Sequence, residues 1–84
     1  MVSDKQKRAT KRIQEILRVR RSSLANEIAK VEDVRQLTLG LRERIVDELG
    51  DEFAAKGLLP DGEPNAYGLE IEDLTDACGL AAHP

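Results

Sequence analysis

Aromatic side chains are almost missing from this 84-residue chain, which has one Phe, one Tyr and no Trp. A surface that grips nucleic-acid bases by stacking is therefore not expected. Cysteine and histidine are equally scarce, one of each, at Cys78 and His83. One Cys closes no internal disulfide, which fits a reducing cytosol. One Cys and one His build no structural zinc site within the chain. No apolar run approaches the roughly 20 residues of a membrane span. The opening residues Met1-Val2-Ser3-Asp4-Lys5 lead into charge, not into the apolar stretch of a secretory signal. The expectation is a cytoplasmic chain with no membrane contact. There is no Gly-rich phosphate loop, no Gly-x-Ser-x-Gly elbow and no long-period repeat. The acidic cluster Glu70, Glu72, Asp73 and Asp76 lacks the spacing of a calcium loop and is expected to be a solvated face. A chain this short has little room for a substrate pocket. No catalytic residue, cofactor or metal is expected, and no enzyme.

Residues 1–39 contain neither Gly nor Pro. Ser3 and Gln6 form a capping-box pattern that opens a helix at Asp4. Ala9, Ile13, Leu17, Leu24, Ile28, Val31 and Val34 then recur at helical spacing, which predicts an amphipathic helix of roughly 30–35 residues, interrupted on its apolar face by Arg20. Leu41, Ile45, Leu49 and Phe53 step by four and predict a second helix after Thr38 and Gly40. The apolar phase runs through Gly40 without a reset, so two arrangements stay open there: a helical hairpin, or one long bent helix. Gly57, Leu58 and Pro60 predict a Schellman stop, with Leu58 returning to Phe53. Residues 57–68 read as a Pro/Gly turn region, and Leu69, Ile71, Leu74, Ala77 and Cys78 as a short third helix ended by Gly79, with Leu80 folding back on Leu74. Cys78 is expected to be a buried inert thiol, Phe53 a core residue, Tyr67 a lid over the core and His83 a solvated terminal residue.

The expected fold is all-α, in one small domain of residues 1–84. It divides into a basic helical arm (1–21), an amphipathic helical body (22–57) and an acidic loop with a short helix (58–84). Leu, Ile, Val and Phe make up only about a quarter of the chain, and a domain this small buries only about 60% of the surface its unfolded chain exposes. Leu17, Leu24, Ile28, Val31, Val34, Leu41, Ile45, Leu49 and Phe53 are therefore expected to form the core or an oligomer interface, with a two-fold dimer favoured or burial in a larger complex.

The net charge of −3 conceals a gradient. Lys5, Lys7, Arg8, Lys11, Arg12, Arg18, Arg20 and Arg21 stand against Asp4 and Glu15, so residues 1–21 carry +6. Residues 57–84 carry Asp61, Glu63, Glu70, Glu72, Asp73 and Asp76 with no Lys or Arg, giving −6. Basic groups crowd the first turns of the first helix, where the macrodipole favours anions, so helix stability does not account for them. Three partners would: the acidic segment of the same chain or of a second copy, another protein, or nucleic acid. The residues offered for such a contact are Lys5, Lys7, Arg8, Lys11, Arg12, Arg18 and Arg21. The expected function is a non-catalytic helical interaction protein, an adaptor, regulator or assembly subunit. The alternative is a small dimeric nucleic-acid-binding protein that uses the basic helix. A regulator carried by a phage or plasmid would look the same.

Overall fold

The computed structural model describes residues 2–79. They form α1 (Asp4–Val19), the single turn α2 (Leu24–Glu27), a 3-10 turn (Val34–Gln36), α3 (Leu39–Lys56) and α4 (Ala66–Ala77), with no strand among them. The fold is all-α, but the long first helix is not there. Helix α1 ends at Val19. Arg21 takes a left-handed backbone (φ 57°), the Ser22 amide donates to the Leu17 carbonyl and the Arg21 amide to that of Arg18. This is a Schellman stop with Arg in the place Gly usually holds. It leaves no glycine signature in the sequence, which is why the apolar periodicity reads straight through it.

The second expected stop is different again. Gly57 has φ −98° and only its amide closes on Phe53, while Leu58 is exposed and pairs with Pro64 in an isolated antiparallel bridge. Gly57 matters instead through close approach, because a Cβ there would lie 3.0 Å from Cα of Gly68. The two glycines let the end of α3 touch the start of α4. Gly40 neither turns a hairpin nor bends a helix. Thr38 caps α3 through the Leu41 amide, and Gly40 sits in the first turn with open space around it. Helix α4 starts earlier than expected, capped by Asn65, whose side chain accepts from the Gly68 amide. Gly79 follows it with φ 70°, as a C-terminal glycine should. Leu80 and His83 lie outside the described residues.

Helix α4 packs on both α1 and α3, and α1 also meets α2. One apolar cluster results: Ile13, Ile16, Leu17, Leu24, Ile28, Val34, Ile45, Leu49, Ile71, Leu74 and Cys78 are all buried, with Val31, Leu41, Phe53 and Tyr67 packed against it at half burial. The residues expected to form a core or an oligomer interface thus all belong to the chain's own core or its edge. Ile16 was not among them; of the apolar residues read as the short third helix, Ile71, Leu74 and Cys78 join the core, while Leu69 is exposed. The radius of gyration, 12.5 Å, is close to the ~12 Å of a folded chain this long.

Candidate contact surface on the first helix

Two polar clusters tie the elements together and use part of the charge. In the first, the Gln6 side chain does not return to Ser3 to complete a capping box. Its amide donates to the Asp33 carboxylate (2.8 Å) and to the Ala77 carbonyl at the end of α4 (2.7 Å). The Arg35 guanidinium donates to the same carboxylate at 2.9 Å, and the Thr10 hydroxyl accepts from the Val34 amide. Arg35 holds the buried Asp33 carboxyl below its usual range against the opposing effect of burial, with help from the Arg35 amide and Gln6.

In the second cluster, Arg20 donates to Glu48 (2.9 Å) and Glu52 (2.8 Å) of α3. Glu52 is buried at 3 % exposure, and its other oxygen accepts from the Tyr67 hydroxyl at 2.7 Å. Burial pushes the Glu52 carboxyl up, but the hydrogen bonds from Tyr67 and Arg20 and the charge of Lys56 outweigh it and leave it lowered. Burial and the bond to Glu52 push the Tyr67 phenol up to about 12, so it remains a donor at physiological pH. Arg12 lies 5.8 Å from the Tyr67 ring centroid and makes a two-pronged contact with Glu70 at 2.8 and 3.2 Å. The acidic C-terminal segment therefore does meet the basic helix in the same chain, with this one ion pair between them among the described residues. Glu72, Asp73 and Asp76 are exposed.

The seven cations offered for a partner now divide. Arg12 is engaged with Glu70. Lys5, Lys7, Arg8, Lys11, Arg18 and Arg21 are exposed, and none of them has a carboxylate within 4.0 Å among the described residues. Lys7, Lys11 and Arg18, at i, i+4 and i+11, share one flank of α1. This is the flank away from α4, which lies against Ala9 and Arg12. Arg20, set aside from the contact residues as an interruption of the apolar stripe, anchors the second cluster. Nothing in the local sequence spacing signals Gln6–Asp33 or Arg20–Glu52, because their partners lie 27 and 32 residues away.

Cys78 is fully buried and its thiol donates to the Leu74 carbonyl. Burial pushes its pKa up to about 11, Arg42 opposing, so the thiol stays protonated and unreactive. No helix among the described residues is long and apolar enough to cross a membrane. Comparison with known proteins gives no match: no family model, no curated protein and no solved structure aligns significantly with the chain.

Proposed function

We propose that the protein is a non-catalytic helical interaction protein, an adaptor, regulator or assembly subunit, whose contact surface is the cationic flank of α1. The observation that carries this reading is the division of the cations. Arg12, Arg20 and Arg35 are paired within the fold, while Lys7, Lys11 and Arg18 form a row with no ion pair among the described residues. Lys7, in the first turns, also stands against the helix dipole. Ile13, Ile16 and Leu17 of α1 lie in the core, and the row of Lys7, Lys11 and Arg18 on the opposite side presents charge to a partner. Such a surface mainly speeds association and selects among partners by charge. A cytoplasmic setting goes with it, since the single buried thiol suits a reducing compartment. The test is affinity capture from the source cells with wild type and with Lys7→Glu/Lys11→Glu/Arg18→Glu, read by mass spectrometry and by nucleic-acid staining. A partner captured by the wild type and lost with the variant supports the reading; equal capture by both removes it.

A second reading, nucleic-acid binding, draws on the same row. From Lys7 to Arg18 it runs about 17 Å along the helix, and three to six cations facing phosphates would make binding steeply salt-dependent. A gel shift of random duplex at low salt decides it. Each lost cation should lower the salt slope by about 1, and no shift with the wild type excludes the idea.

A further inference from the structure

We propose that the groove beside this cationic flank receives the acidic loop 58–63 of a second copy, so that copies join head to tail. The inference rests on the reading of α1 as a contact surface and names its occupant. The groove lies between α1 and residues 31–32 and has a volume of about 290 Å³. Thr10, Gln14 and Val31 line its floor, Lys7, Arg8 and Lys11 its rim, and Glu32 its far wall. Part of the floor's polar capacity is used within the fold: the Thr10 hydroxyl accepts from the Val34 amide, and the Gln14 side-chain nitrogen donates to the carbonyls of Ile28 and Val31. The exposed lining is mostly carbon, edged by three cations on the α1 side and by Glu32 opposite them. A void of about 150 Å³ already takes benzene, so the groove has room for an aliphatic side chain.

The complementary shape is on the other side of the same molecule. Leu58 and Leu59 are 40 % and 46 % exposed, beside the exposed carboxylates of Asp61 and Glu63. The loop is closed by its own hydrogen bonds. The Leu59 amide donates to the Glu63 carbonyl at 2.7 Å and the Gly62 amide to the Leu59 carbonyl at 2.9 Å. The Glu63 amide donates to the Asp61 carboxylate at 3.0 Å. A preformed loop has little ordering entropy to lose on docking.

Its ends are pinned to α3 through Asn65, whose amides donate to the carbonyls of Gly57 and Lys56. It also leads directly into α4, on the opposite flank of α1 from the groove. A chain's own loop is thus held away from its own groove, and the two surfaces meet only between copies. That contact is heterologous, not the two-fold dimer expected from the apolar stripe, and it propagates. A loop tip in a groove buries less than the ~1,200 Å² of a stable complex, so the association is weak and salt-sensitive.

The test is sedimentation velocity at about 20 mM and about 500 mM salt, where screening differs several-fold. Wild type should show a mass that grows with concentration at low salt and returns to monomer at high salt. Lys7→Glu/Lys11→Glu disables the groove. Leu59→Ser/Glu63→Lys disables the loop and leaves the Asp61 turn bond in place. Each variant alone should be monomeric, and their equimolar mixture should form dimers and nothing larger. A wild type monomeric at low salt up to the highest soluble concentration overturns the proposal, as does a loop variant that associates like wild type. If that happens while Lys7→Glu/Lys11→Glu/Arg18→Glu still loses a captured partner, the contact surface stands and only its occupant is wrong. Binding of duplex DNA to the loop variant as tightly as to wild type, with no self-association of either, assigns the groove's rim to phosphate instead.

Discussion

Arg21 holds a left-handed backbone where Gly would be cheaper by about 1 kcal/mol, yet its side chain is exposed and makes no ion pair within the described residues. The Arg21→Gly variant should be as stable as wild type or up to about 1 kcal/mol more so in urea unfolding. A clear loss of stability would mean that the Arg side chain supports the turn. Glycine itself misleads at this scale. Gly40 and Gly50 sit in α3 with nothing near a would-be Cβ, so Gly50→Ala should stabilise by about 1 kcal/mol through helix propensity. Gly68 is the opposite case, because a Cβ there would collide with the Gly57 carbonyl and lie 3.1 Å from the Phe53 ring. Gly68→Ala should cost about 3 kcal/mol, the upper range for overpacking. Equal urea midpoints for the two variants would contradict the close approach of α3 and α4. A sequence reading takes Gly as punctuation; it cannot tell an open Gly from one wedged between backbones, and it has no sign at all of a Schellman stop built on Arg.

Among the elements, α1 is held to its neighbours by two buried carboxylates, Asp33 and Glu52. Both titrate lower in the folded than in the unfolded chain. The stability they supply is therefore complete above the ordinary values of 3.8 and 4.5, and is lost as pH falls through the lowered folded values. Urea midpoints should be flat from about pH 8 to 5 and fall below about pH 4, with a shallower fall in Asp33→Asn/Glu52→Gln. An identical acid limb in that variant would show that other carboxyls dominate. Tyr67→Phe removes the hydrogen bond to Glu52 and should cost about 2 kcal/mol, measurable in the same unfolding experiment; no loss would place Tyr67 outside the cluster. The helices themselves were legible in part. The Ser3 cap, the four-residue steps of α3 and the Gly79 stop are local signals and are where they were expected, while the start of α3 at Thr38, ahead of Gly40, was not fixed by them. The clusters were not legible, because a salt bridge such as Arg20–Glu48, across 28 residues, follows from packing and leaves no periodicity.

For the whole molecule, the unbroken apolar phase from Ile13 to Phe53 suggested one long helix or a hairpin. The chain instead wraps several segments around a single core. Each segment turns one face inward, so the phase persists across the breaks at Arg21 and in residues 28–38 and does not distinguish the three arrangements. The charge gradient was more informative. It left three partners open for the basic helix, one of them the acidic segment of the same chain, and Arg12–Glu70 is a contact of that kind. It did not separate the cations that hold the fold from those that are left over, since this depends on which flank of α1 faces α4. That separation is the central claim, and the urea midpoint of Lys7→Glu/Lys11→Glu/Arg18→Glu at neutral pH and low salt tests it most directly. If these cations face a partner and not the fold, the midpoint should equal that of wild type or exceed it slightly, because a carboxylate at position 7 would suit the N-terminal dipole better than the ammonium it replaces. A loss of about 1 kcal/mol or more, well beyond the usual effect of surface substitutions, would show that the row serves the fold and would contradict the claim.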